Sequence, residues 1–329
     1  MSVEATPVAP AQDRPRRIKS ATTGGDKVFR GILRAAGASA LVIMLLIAVF
    51  LAVRSADGLK HAGWSFLTRR EWVIANADFG IAAVLPSGII IALVALLVAV
   101  PFSLATALFI SEYAPESVRR FLITLIDLMA AIPSIVYGLW GLFFMQPRII
   151  GITRWIANHL GFIPIFKVSI GDNPSAYTSS TLIAGVVVGL MIIPIITSLA
   201  REVYSQAPQG EREGAYALGS TRWGMIRSVV IPYGKGGVIG AVMLGFGRAM
   251  GETITVAMII SPIYTVAWHV LQSGGNSISA LIAIKYADSS GLGLSALMAA
   301  GFVLFLITLI VNALAAVIIG RSRSGAQTG

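Results

Sequence analysis

Six long apolar runs constrain this chain more than any other feature: residues 32–53, 81–111, 121–145, 181–199, 238–260 and 294–319. An α-helix rises 1.5 Å per residue, so about 20 residues cross the ~30 Å hydrocarbon layer of a bilayer. Inside that layer each backbone N–H and C=O must be satisfied within the protein, which a helix achieves alone. The composition agrees, with 56% hydrophobic and 12% charged residues against roughly 25% charged in a soluble domain. Such a chain has more apolar surface than one globule can hide. The expected fold is an all-α integral membrane protein of about six transmembrane helices. The first run is too long for a signal-peptide core and no small-residue cleavage pattern follows it, so it reads as an uncleaved span.

The flanks orient these spans. Residues 1–30 are polar and include Arg14, Arg16, Arg17, Lys19, Lys27 and Arg30, the composition of an unfolded tail. Residues 31–320 form the membrane domain and 321–329 a second short tail. Of the 25 Lys and Arg residues, sixteen fall on the side of the termini and eight on the other, with Arg248 inside the membrane. That bias places both termini in the cytoplasm of a multi-pass protein of the cytoplasmic membrane. The net charge of +10 therefore sits in clusters beside lipid and gives no reason to invoke nucleic acid. Without cysteine there is no disulfide, thiolate nucleophile or Cys-based metal site. His61, His159 and His269 lie in separate segments and read as loop or interface residues. Pro86, Pro101 and Pro133 predict kinks, because each removes a helical N–H and its ring clashes one turn back. Residues 147–179 carry Trp155, Phe162 and Phe166 among charges and Gly/Pro breaks, the pattern of a helix lying along the membrane surface.

The stretch between the fourth and fifth runs has a different character. Glu211 to Leu218 reads as a short helix with acid in its first turn, where the dipole favours it, and Gly219 supplies a left-handed stop. Ser220 or Thr221 then caps a second helix running toward Pro232, which is expected to redirect the chain before the fifth span. Gly214, Ala215 and Ala217 leave the first arm slim enough for another protein to approach closely. This knuckle resembles the EAA loop of ABC importer permeases: Glu213, Gly214, Ala215, Gly219, Val229, Ile231 and Pro232 fill the positions of that motif. Gly214 replaces an Ala there, at ~1 kcal/mol of helix stability. The resemblance implies a type I ABC importer permease fold in which loop 211–232 seats in a separate ATPase. No phosphate-cradling G-x-x-x-x-G-K-[ST] occurs; Gly234-Lys235-Gly236 lacks the upstream glycine and the hydroxyl residue. ATP is then bound by a partner, the chain needs no cofactor, and it is not itself an enzyme.

In the fifth run Arg248 lies ~15 Å into the layer, where an unpaired charge costs ~2.5–3.5 kcal/mol or more. Glu252 follows four residues on, and on a continuous helix the two share a face and neutralise each other. Gly247 and Gly251 would let a neighbouring helix pack closely beside them. Two readings stand: Arg248 offers a passing oxyanion a forked donor while Glu252 weakens its grip, or the pair locks helices together.

The stretch from Ala131 to Leu142, the Phe79-Gly80-Ile81 entry to the second run, the segment 247–253 and the end from Asn276 to Asn312 are similar to phosphate-specific ABC importer permeases of the PstC type. The PstA-type partner is less similar, and the likeness runs from about residue 30 to 320. It implies that Arg248 and Glu252, with Thr253 and Thr255 beside them, line the substrate path. It also implies a complex with a homologous PstA-like permease, two PstB-like ATPase subunits and an external PstS-like phosphate-binding protein. Sulfate or molybdate in place of phosphate, a secondary transporter or channel, an intramembrane enzyme and a passive scaffold are the alternatives. The knuckle argues against a secondary transporter or channel, which has no use for a docking loop; the enzyme lacks any nucleophile-and-base set, and a scaffold predicts unchanged growth on scarce phosphate when the gene is lost.

Overall fold

The computed structural model describes residues 24–323 and is mostly helical. In chain order the helices are α1 (Gly24–Ala62), α2 (Ser65–Thr68), α3 (Leu85–Leu108), α4 (Glu116–Ala131), α5 (Ser134–Trp140), α6 (Gln146–Leu160), α7 (Thr181–Ser205), α8 (Gln209–Ala217), α9 (Arg222–Met225), α10 (Ile231–Gly251), α11 (Ile254–Ile259), α12 (Ile278–Lys285) and α13 (Gly291–Arg323). A two-residue hairpin, β1 (Trp72–Val73) with β2 (Asp78–Phe79), precedes α3. Among the described residues, six continuous helical stretches are long and apolar enough to cross a membrane: Gly24–Ala62, Leu85–Tyr113, Ser134–Leu160, Thr181–Ser205, Arg222–Gly251 and Gly291–Gly320.

The chain divides into two units, one ending at Val49 and one beginning at Phe50. The described part of the first is helix, apolar and exposed at residues 41–47 and at Val49. In the second, α7 is the most buried span and carries α3, α10 and α4 against it. The approach of α3 depends on Gly185 and Gly189, four residues apart on one face of α7. A Cβ at Gly185 would stand 2.6 Å from the Val94 side chain, and one at Gly189 would stand 3.0 Å from the Ala95 carbonyl. Small residues at this spacing let two backbones meet, and in lipid that packing replaces the hydrophobic effect as the force between helices.

The helix ends differ from the sequence expectation in ways that proline chemistry explains. The segment Gly24–Arg30, expected in the polar tail, already belongs to α1, while residues 1–23 and 324–329 of the two tails lie outside the described residues. Pro86 sits in the first turn of α3, where its missing N–H has no partner to lose, so it makes no kink. The expected third run, 121–145, is divided: Ile132 is extended before Pro133, as steric clash with a following proline requires. Helix then resumes at Ser134 and continues to Leu160, with α4 and α5 both resting on α7. The fifth run, expected at 238–260, starts earlier, at Arg222, and is interrupted after Gly251.

Pro232 does not redirect the chain. It lies in the first turn of α10, and the π turn Ile226–Val230 runs directly into it, with the Ile231 N–H bonded to the Ile226 carbonyl. Two other π turns, Phe109–Tyr113 and Gly141–Met145, likewise end two residues before Pro115 and Pro147. A π turn inserts one extra residue, so the missing proline donor falls where no carbonyl four residues back is left facing the ring. At Pro147 and Pro232 the helix passes through; at Pro115 it stops.

Candidate functional site

The knuckle between α7 and α10 is built from short-range signals. Arm one is α8; its last carbonyls are closed by Gly219 in the left-handed region, φ +81°, whose N–H bonds the Tyr216 carbonyl at 2.9 Å. Thr221 caps arm two, its Oγ1 accepting the Gly224 N–H at 3.1 Å. Glu213 is exposed and accepts a 3.1 Å bond from Gln209; a Cβ added at Gly214 would meet nothing within 4 Å. Ala215 and Ile231 pack on the apolar patch of Tyr204, Met225, Ile226 and Val230, Val229 is half-buried, and Pro232 is exposed. At the tip Leu218 is 90% exposed, with Trp223 and Tyr216 beside it in sequence and also open. Three large apolar side chains held outward on a pinned turn are what a protein-docking surface presents.

The base of the knuckle is ionic. Glu112, in the π turn that ends the second span, accepts from Arg212 Nη1 at 2.9 Å; their side chains are 3% and 15% exposed. Arg212 also donates from Nη2 to the Tyr204 carbonyl at 2.7 Å and from Nε to the Ala207 carbonyl at 3.1 Å. Ser111 Oγ bonds the Glu112 carboxylate at 2.5 Å, Arg222 bonds the Glu112 carbonyl, and the Arg222 guanidinium lies 4.7 Å over the Tyr113 ring. Arg119 reaches the Ile110 carbonyl at 3.0 Å and the Ser111 carbonyl at 2.6 Å. Sequence reasoning missed Glu112, Arg212 and Arg222. The available signal was an acid at the end of a long apolar run, placed on the same side of the membrane as three arginines.

The end of the fifth span is arranged differently from the expectation. The helix stops at Gly251, and Glu252 takes an extended backbone, φ −67° and ψ 125°. The turn carries its side chain inward, where the residue is buried and Oε1 accepts the Thr255 N–H at 3.2 Å. Arg248 stays on α10 and is exposed, and among the described residues it makes no ion pair with Glu252. The expected mutual neutralisation therefore fails, because the helix that would align the two does not continue. Ser279 on α12 holds the break, donating to the Glu252 carbonyl at 2.9 Å. Thr253 is half-buried and bonds the Gly251 carbonyl at 3.2 Å. Thr255 is fully buried, and its hydroxyl is committed to the Ser134 carbonyl at 3.1 Å, which takes it out of any open path in this arrangement. Gly247 is half-buried against α13, where an added Cβ would meet Asn312 Oδ1 at 3.8 Å, whereas Gly251 is exposed and a Cβ there would meet nothing within 4 Å.

At the opposite end of α7 from the knuckle, Arg154 grips Asp172 with Nε and Nη2, each at 2.8 Å, and Tyr177 donates to the same carboxylate at 2.7 Å. These bonds, the Arg154 bond foremost, hold the Asp172 carboxyl below its ordinary range. A surface cavity of about 620 Å³ opens beside them, lined in part by His159, Phe162 and Lys167. Nearby, burial and then Lys167 push His269 down from the usual imidazole value. His269 is a loop residue whose Nδ1 contacts the Pro164 carbonyl, whereas His159 lies in the last turn of α6, its Nδ1 against the Trp155 carbonyl one turn back.

Comparison with known proteins agrees with this architecture. Residues 99–324 match the family described as "Binding-protein-dependent transport system inner membrane component". The chain is 36% identical over 308 residues to the phosphate transport system permease protein PstC 2 of Mycobacterium bovis, covering 92% of this chain and 94% of that protein. It is 37% identical to the PstC protein of Xylella fastidiosa, covering 90% and 91%, and 39% identical to that of Pasteurella multocida, covering 85% and 88%. Among solved structures, the inward-facing MetNI methionine ABC transporter aligns with TM-score 0.52 at 13% identity, covering 72% of this chain and 93% of that one. A bacterial ABC transporter that imports alginate aligns with TM-score 0.53 at 14% identity, covering 90% and 99%. At such identities these two structures speak for the fold alone. The chain belongs to the binding-protein-dependent transport system inner membrane components, and within them to the PstC permeases.

Proposed function

We propose that this chain is a membrane-spanning permease subunit of an ABC importer that carries inorganic phosphate across the cytoplasmic membrane, using ATP hydrolysed by a partner. The observation that carries the reading is the knuckle: a turn fixed by Gly219 and Thr221, pinned at its base by Arg212 and Glu112, with Leu218 and Trp223 facing outward. A channel or secondary transporter has no use for such a fixture. Glu213, Gly214, Ala215 and Gly219 form the seat for one of two ATPase subunits, and the chain itself binds no ATP and needs no cofactor. The exposed end of α10 at Arg248 and Gly251 and the apolar surface of α4 fit a homologous second permease, which would close the path between them. An external binding protein delivers phosphate at the end of the molecule holding Arg154 and Asp172, and both termini are cytoplasmic.

Within the path, Arg248 presents a guanidinium that no carboxylate of the described chain neutralises. A forked donor in a low-dielectric setting matches the oxygens of phosphate. Glu252 lies close in sequence but is held inside by Thr255, so it limits the local positive field without occupying the donor. The test is uptake of labelled phosphate and of labelled sulfate by the four-component complex in proteoliposomes. Phosphate uptake that requires internal ATP is expected; sulfate uptake of equal rate would overturn the substrate assignment.

A further inference from the structure

The base of the knuckle does more than hold a turn in place, because it ties the knuckle to a span with which it has no chain continuity. Arm one follows α7 directly, and arm two runs without interruption into α10. Neither arm is adjacent in sequence to α3, yet both grip its end: Arg212 of arm one takes the Glu112 carboxylate, and Arg222 of arm two takes the Glu112 carbonyl and covers Tyr113. Arg119, from the far side of the Pro115 turn, takes the carbonyls of Ile110 and Ser111. The last carbonyls of a helix have no intrahelical donors and lie at the negative end of its dipole. Three guanidinium groups thus close the C-terminal end of the second span, and two of them come from the knuckle.

We propose that Glu112 is a positioning residue for transport: it couples the knuckle to the second span, so that a push on the knuckle moves α3 together with α7 and α10. The proposal rests on reading the knuckle as the ATPase seat. A buried ion pair holds a fold no better than a well-packed apolar pair of the same shape, so stability alone does not account for the cluster. What it adds is direction. A carboxylate fixed by Arg212 and Ser111 transmits displacement in both senses, whereas an apolar contact slides. The second span is also the one that α7 meets most closely, through Gly185 and Gly189. Movement of α3 therefore reaches the buried centre of the molecule without passing through the chain connections of the knuckle to α7 and α10.

The experiment is the ratio of phosphate taken up to ATP hydrolysed, measured in the complete reconstituted complex for wild type, Glu112→Gln, Glu112→Asp and Arg212→Gln. For Glu112→Gln the ratio is expected to fall about tenfold, within the usual range of inter-site coupling, while the ATPase subunits still co-purify with the permease. Glu112→Asp should recover part of the ratio. Combining Glu112→Gln with Arg212→Gln should add little to either single change, since the two act through one bond. Because the natural chain has no cysteine, Tyr113→Cys with Arg222→Cys in the Glu112→Gln background can be bridged by a short bifunctional thiol reagent. Bridging should restore the ratio. Retention of the wild-type ratio by Glu112→Gln overturns the proposal, as does a fall fully accounted for by lost assembly that the bridge does not repair. If the wild-type complex hydrolyses ATP without uptake, the reading of the knuckle as ATPase seat fails first, and this assignment falls with it.

Discussion

Two Arg–Glu combinations sit near the two ends of the continuous helix Arg222–Gly251, and they are built in opposite ways. At the knuckle, Arg212 and Glu112 are a hundred residues apart in sequence, yet they meet at 2.9 Å in a buried setting. At the other end, Arg248 and Glu252 are four residues apart, yet they do not pair, because the helix ends between them and Glu252 turns inward. The first combination is closed, with its hydrogen-bonding capacity spent on protein. The second is open, with a guanidinium left facing outward. A closed pair suits a part that must move as one piece; an open guanidinium suits a part that must bind and release an anion. Position along the chain says nothing about which is which. The backbone after the arginine decides it.

The largest effect that would sharpen this contrast is Arg212→Ala. It strands a carboxylate whose side chain is 3% exposed, and breaking a buried pair from one side costs ~3–5 kcal/mol. Loss of membrane-assembled protein and of thermal stability is expected, read by yield and by the unfolding midpoint in detergent; a neutral outcome would mean that water reaches Glu112. Next comes Arg248→Gln, which should leave assembly intact and lower phosphate uptake by ~10–100-fold, the equivalent of a charge-assisted hydrogen bond worth ~1.5–3 kcal/mol. If assembly falls in step with uptake, the second combination is structural and the contrast collapses. Thr221→Ala removes the cap of arm two and should cost ~1 kcal/mol, seen as faster amide exchange at Gly224 with α3 unchanged.

The smallest effect concerns pH at the end of the molecule remote from the knuckle. Burial lowers the His269 pKa in the folded protein from 6.5, so the unfolded segment binds a proton first. The associated stability is present above about pH 6.5 and declines as the pH falls through the lower folded value. Exchange of the Val270 amide, which bonds the Ile165 carbonyl at 2.9 Å, should accelerate as the pH falls from 7 to 5 after correction for intrinsic rates. Constant corrected protection over that range would show that His269 is solvated in both forms.

Apolar run length alone made the membrane class and the number of long apolar helices legible, because the thickness of lipid leaves few solutions. The knuckle was legible as well: Gly219 and Thr221 perform the local tasks that their chemistry implies. What escaped was geometry that proline and π turns decide together. Pro232 reads as a bend, but the π turn before it absorbs the missing donor and the helix runs straight through. Gly251-Glu252 reads as uninterrupted helix, but Ser279, 27 residues on, offers the Glu252 carbonyl a partner that a helix would not. Glu112 and its arginines escaped for the same reason, since nothing local to residue 112 says that positions 212 and 222 will lie beside it.

The most direct test of ATP-driven gating through the knuckle is the flux of labelled phosphate through proteoliposomes holding the two permease subunits, measured with and without the ATPase subunits. No flux above empty vesicles is expected from the permeases alone. Flux should appear only when the motor, ATP and the binding protein are all present. Phosphate movement down its gradient through the permeases alone, unaffected by adding the motor, would contradict it.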